Sequence, residues 1–180
     1  MAKSKFNFSL TAVITLVTGI LGFVMFFLPN LYYGVKSDYV TAEGNASGLD
    51  MFLGVFNLDN ANDMTLSMFI HDANMTLSGV EYVYNALAYF IGILFVLAAL
   101  CLIACAVLSA LKLFGVNVNY DLVRILAMVA TALLVIALVL VLIRFGQIAG
   151  DGLSLSLGYG LIVGLIASIA TAVVPMVLKD

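Results

Sequence analysis

Four long apolar runs limit the folds open to this chain more than any other feature. They cover Leu10–Leu28, Tyr82–Leu111, Leu122–Ile143 and Leu153–Leu178. An α-helix needs about 20 apolar residues to cross a hydrocarbon core of about 30 Å. Each run meets or approaches that length, and none carries Asp, Glu, Lys, Arg or His near its middle. Hydrophobic residues make up 64% of the chain and charged ones 9%. A soluble domain has about 25% charged residues, so a water-soluble core does not account for this composition. In lipid, every backbone N–H and C=O must be satisfied within its own segment or in a closed barrel. Unbroken runs of this length are helices, since barrel strands alternate over about ten residues. The expected fold is therefore an all-α membrane protein, a four-transmembrane-helix bundle with a small extracytoplasmic cap, β or helical, between helices 1 and 2.

The boundaries follow from the runs. Residues 1–28 form the N-terminus and first span, 29–81 the outer loop or cap, and 82–111 the second span. Residues 112–121 form an inner loop, 122–143 the third span, 144–152 an outer loop, and 153–180 the fourth span and C-terminus. The first run is longer than the 7–15 residues of a signal-peptide core and ends at Phe26-Phe27-Leu28-Pro29 without a small-residue cleavage site. It is expected to be retained. Lys3, Lys5, Lys112, Arg124 and Lys179 fall on one side of such a topology, and Lys36 and Arg144 on the other. Basic residues concentrate on the cytoplasmic side. Both termini are thus expected in the cytoplasm, with residues 29–81 outside. Few, scattered basic residues leave no patch for nucleic acid.

The 29–81 loop is rich in Tyr, Phe, Leu and Met, so a folded cap is expected. Leu31–Val40 suits strands. The stretch Ser47-Gly-Leu-Asp-Met-Phe-Leu-Gly-Val-Phe fits either a short helix capped by Ser47 or a further strand. Met64-Thr-Leu-Ser67 recurs as Met75-Thr-Leu-Ser78 around His71-Asp-Ala-Asn74, a layout that fits a hairpin or arises by chance. Ser78-Gly-Val-Glu81 has the form of a capping box. A helix from there to Leu111 would run about 50 Å at 1.5 Å per residue, so it should project beyond the bilayer and support the cap. Asn119 or Asp121 can cap the third helix. Short connections make the last three helices sequential antiparallel neighbours.

Residues that could carry chemistry each have a plainer reading. Cys101 and Cys105 lie one helical turn apart in the second span. An intramembrane thiol oxidoreductase would need a closer pair near a helix end and loop cysteines for exchange. Cβ atoms at that spacing sit about 5–6 Å apart, too far for an unstrained disulfide. They read as small packing residues. His71 lacks the clustered partners a metal site requires. Asn45-Ala-Ser47 and Asn74-Met-Thr76 are glycosylation sequons, meaningful only in a host with that machinery. Arg124 and Arg144 flank the third span and can snorkel to headgroups.

The strongest motif is a stripe of small residues on the fourth helix, Gly160, Gly164, Ser168 and Ala172, with Gly158 just before it. Spacing of four places them on one face, where small side chains let backbones approach closely. The stripe is expected to serve either packing within the chain or an interface with another subunit. Gly19 and Gly22 on the first helix, and Cys101, Cys105 and Ser109 on the second, are candidate matching surfaces.

This layout resembles the claudin-type tetraspan proteins: a short basic N-terminus, one helix, a long outer loop, then three helices with short turns. The resemblance implies a small sheet over the bundle. It is one of topology, because the loop has neither Trp nor Cys and offers only Gly48-Leu49-Asp50 where that family carries Gly-Leu-Trp. The functional expectation is a non-enzymatic structural or accessory membrane protein without cofactor or metal. It would pack laterally in the bilayer with other membrane subunits or as a homo-oligomer, and meet partners through its outer loop. The alternative is a subunit of an oligomeric channel or transporter.

Overall fold

A computed structural model describes residues 9–36, 41–55, 81–148 and 153–178. Four helices in it are long and apolar enough to cross a membrane, with spans Leu10–Phe27, Phe90–Leu113, Tyr120–Ile143 and Tyr159–Val177. In chain order the elements are α1 (Leu10–Val24), a 3-10 turn (Met25–Phe27), β1 (Pro29–Lys36), β2 (Thr41–Ser47) and α2 (Gly48–Val55). They continue with α3 (Glu81–Leu113), α4 (Tyr120–Ile148), β3 (Leu153–Leu157) and α5 (Tyr159–Val177). In the bundle α1 packs on α3 and α5, and α4 packs on the same two helices from the other side. The last three helices are sequential neighbours, and α1 closes the ring.

Local chemistry sets the helix ends. Ser9 caps α1 by accepting from the Ala12 N–H at 3.0 Å. Asn119 caps α4 by accepting from the Asp121 N–H at 2.9 Å. At the end of α3, Gly115 takes φ 85°, the left-handed region that favours glycine. Its N–H donates to Lys112 O and that of Val116 to Leu111 O, closing a Schellman motif over the last turn. The stretch after Ser47 is a helix. Ser47 N–H and Oγ both donate to Asp50 Oδ2, at 2.8 and 2.7 Å. Asp50 N–H returns a bond to Ser47 Oγ at 3.1 Å. This reciprocal cap decides between helix and strand.

The sheet departs from expectation in one respect. It has the order β2-β1-β3, all antiparallel, so its third strand comes from the connection between α4 and α5. The apolar run beginning at Leu153 is therefore a strand followed by a helix that starts at Tyr159, and the fourth span is shorter than 153–180. Leu153-Ser-Leu-Ser-Leu157 alternates with the period of two that a half-buried strand requires. Leu31 pairs with Ala46 on one side and Leu157 on the other. These three residues turn toward the bundle, where Leu31 and Ala46 join a core of Met25, Phe26, Phe95, Leu102, Leu134 and Leu161.

The Met64–Ser78 repeat, His71, Asn74 and the Ser78 end of the proposed capping box lie outside the described residues. So do Lys3, Lys5 and Lys179. Asn45 is exposed on β2.

Candidate functional site

The glycines anticipated as packing positions sit in two separate contacts. On α1, a Cβ added at Gly19 would lie 3.0 Å from both the Ala106 N and Leu102 O of α3. One at Gly22 would lie 2.7 Å from Leu102 Cδ1. The first helix thus presents its glycines to α3 rather than to the stripe on α5.

The α5 stripe faces the other way, toward the base of the sheet and α4. A Cβ at Gly164 would meet Met25 Cγ at 2.8 Å and Leu134 Cδ1 at 3.4 Å. One at Gly160 would meet Asn30 Oδ1 and Pro29 O, both at 2.9 Å. Gly158, just before the helix, presses directly on Pro29 O. Ser168 is buried and its hydroxyl donates to Leu165 O at 3.0 Å. Ala172 packs in a second apolar cluster with Cys105, Val118, Val123 and Ala127. Cys105 thereby faces α4, and its thiol approaches Val123 O at 3.4 Å. Cys101 and Cys105 are both free thiols.

Asn30 joins three elements. It is fully buried at the start of β1. Its Nδ2 donates to Met25 O at 3.1 Å, which also accepts from the Leu28 N–H of the 3-10 turn, and to Leu28 O at 3.0 Å. Its backbone O accepts from the Gly158 N–H at 2.8 Å. Its Oδ1 has no hydrogen-bond partner and lies against Gly160, whose missing side chain leaves room for it. On the far side of the cap, α2 rests on α3 at Gly92, where a Cβ would come within 2.8 Å of Met51 O.

Hydroxyl groups hold the opposite half of the bundle. Thr15 Oγ1 and Ser109 Oγ are 2.8 Å apart across the α1–α3 contact. Each also lies 2.8 Å from a carbonyl one turn back on its own helix, Thr11 O and Cys105 O. Two hydroxyl protons serve three contacts, so one hydroxyl donates to the other, which donates to its own helix. The α1–α5 contact repeats the device. Thr171 and Thr18 hydroxyls are 2.7 Å apart, with Ala167 O and Ile14 O at 2.8 and 2.9 Å. Thr11 Oγ1 donates to Leu178 O at 3.2 Å, and Ser9 Oγ meets Tyr120 Oη at 2.8 Å. The seam runs along one face of α1 and binds it to all three other spanning helices.

Thr11, Thr15 and Thr18 follow a spacing of four and three, a polar stripe on an apolar helix. That spacing could have exposed the seam in the sequence. Asn30 and Gly92 carry no comparable pattern.

Among the described residues, no three His, Cys, Asp or Glu side chains gather closely enough to hold a metal ion. No family model, curated protein or solved structure matches the chain. The resemblance to claudin-type proteins therefore rests on the four apolar helices and the small sheet alone. The class these features define is a multi-pass helical membrane protein.

Proposed function

We propose that this chain is a non-enzymatic structural or accessory subunit that packs laterally in a membrane complex and meets its partners through the sheet-bearing cap. One observation carries the reading: among the described residues the bundle interior is filled with apolar side chains, and its hydroxyl groups bond within it. Phe95, Leu102, Leu134 and Leu161 are fully buried, and the hydroxyls of Thr15, Ser109 and Thr171 bond to one another or to neighbouring carbonyls. Such packing leaves no aqueous path among the described residues of a single chain, while large apolar side chains such as Leu100, Ile125 and Ile166 cover the lipid-facing surface. The cap is fastened by backbone contact at Gly158, Gly160 and Gly92, which makes it a firm platform for a partner.

Purification in mild detergent with measurement of native mass tests this reading. A hetero-complex of defined stoichiometry supports it. A closed homo-oligomer that passes ions in liposomes replaces it with the channel reading. A monomer carrying nothing else overturns both. The same reading places both termini in the cytoplasm, supported by the five-to-two division of basic residues. In a Cys101→Ser/Cys105→Ser background, Asn60→Cys should react with an impermeant maleimide on intact cells. Reaction only after permeabilisation would invert the topology.

A further inference from the structure

Two basic residues lie near Tyr120, where α3 turns into α4. Lys112 Nζ stands 5.4 Å above the ring of Tyr120. Arg124 follows Tyr120 by one turn, so both project from the same side of α4. The carboxylate of Asp121 is 3.5 Å from Arg124 Nη2, a long contact, and Asp121 is itself 67% exposed. Arg124 Nε is buried and has no hydrogen-bond partner. A guanidinium has five N–H donors and cannot shed its charge; the only contact this one makes among the described residues is the long one from Nη2 to Asp121, and its side chain, 36% exposed, reaches the bundle surface.

The surroundings place the pair at a bilayer boundary. The turn beside Lys112 exposes Phe114 by 65% and Val116 by 47%. Apolar side chains in a tight turn between two spans belong at the junction of headgroups and acyl chains. On α4, Ile125 is next to Arg124 and Met128 stands one turn further along its face; they are 50% and 45% exposed, ready to lie along an acyl chain.

We propose that Lys112 and Arg124 form a binding site for the phosphodiester headgroup of an anionic phospholipid, with its acyl chain along Ile125 and Met128. The phosphate oxygens accept from the Nη groups of the guanidinium and from the ammonium group. Tyr120 holds Lys112 in place through its ring and is itself bonded to Ser9, so occupancy fastens the α3–α4 turn to the start of α1.

Delipidated protein in detergent is titrated with phosphatidylglycerol, phosphatidylcholine or inorganic phosphate, and the thermal midpoint is followed by circular dichroism. Phosphatidylglycerol should raise the midpoint saturably. Phosphatidylcholine and inorganic phosphate should do so weakly or not at all. Lys112→Gln/Arg124→Gln should need roughly 30-fold more phosphatidylglycerol for half effect, the loss expected for two basic residues at a lipid surface. Lys36→Gln, which removes a charge at the sheet end, should respond as the parent does. If the double variant fails to fold, Lys112→Gln alone leaves the Asp121–Arg124 pair intact and should weaken the response about fivefold. A response to phosphatidylcholine or phosphate equal to that for phosphatidylglycerol overturns the assignment. An unchanged response in the folded variants, or equal weakening by Lys36→Gln, also overturns it.

Discussion

Replacing Gly158 by Ala tests how the cap is joined to the bundle. The new Cβ would stand 2.6 Å from the carbonyl carbons of Pro29 and Asn30, and nearer still to Pro29 O. Carbon atoms pack at about 3.5–4.0 Å, so one backbone must retreat by about 1 Å. No side-chain rotation can relieve the overlap, because the obstacle is main chain. The Gly158 N–H bond to Asn30 O, now 2.8 Å, would stretch beyond the range of about 3.2 Å for an N–H···O bond. Overpacking costs about 1–3 kcal/mol and a buried unpaired N–H about 1–3 kcal/mol. Both arise from one displacement and do not fully add, giving an expected loss of about 2–5 kcal/mol.

Gly164→Ala is the matched control. Its Cβ would meet Met25 Cγ at 2.8 Å and Sδ at 3.1 Å, and a Met side chain has three rotatable bonds with which to yield. Alanine also favours a helix over glycine by about 1 kcal/mol, so the control should change stability by less than about 1 kcal/mol. Unfolding in mixed micelles of mild detergent and dodecyl sulfate, followed by far-ultraviolet circular dichroism, measures both. Equal losses for the two variants within about 0.5 kcal/mol would refute the claim that backbone contact at Gly158 joins cap to bundle.

The hydroxyl seam predicts a coupling: Thr15→Val and Ser109→Ala, measured singly and together by the same unfolding assay, should give an interaction energy of about 0.6 kcal/mol, and no coupling would mean the 2.8 Å contact contributes nothing. Asn30→Leu removes the donors to Met25 O and Leu28 O and should cost about 1–3 kcal/mol, with faster proteolysis of the cap than of the spans. Replacing Cys101 and Cys105 together by Ala should leave assembly intact when native mass is measured, because neither thiol has a partner sulfur and both occupy packed positions.

The four helices were legible because an apolar run of about 20 residues has few alternatives in lipid. Ser47 as the cap of a short helix was visible too, although its segment also suited a strand until the reciprocal bonds with Asp50 decided it. What stayed hidden was long-range. Leu153–Leu157 alternates as a strand should, but its leucines merged with the apolar run of α5, and its partner Leu31 lies in a different loop. Gly158 read as a residue inside the fourth apolar run, just before its stripe of small residues, whereas it is the break between strand and helix. Thr15 and Thr18 find partners 94 and 153 positions away; their spacing with Thr11 marks a polar stripe on α1 but not the residues that answer it.

The two ends of the bundle are therefore held by different physics, and they should tolerate change differently. At the sheet end, Gly158, Gly160 and Gly92 bring main chain against main chain, and repulsion rises steeply once any side chain is added. At the other end, hydroxyl pairs join helices through bonds worth about 0.6 kcal/mol each in a membrane, and a carbonyl one turn back remains as an alternative acceptor when a partner is lost. Single substitutions at Thr11, Thr15 or Thr171 should consequently be mild, and only their combination should release α1. A surface that must hold its shape for a partner is better built on contacts of the first kind. The sheet end has them, which is the physical ground for assigning partner contact to the cap rather than to the end that carries Lys112 and Arg124.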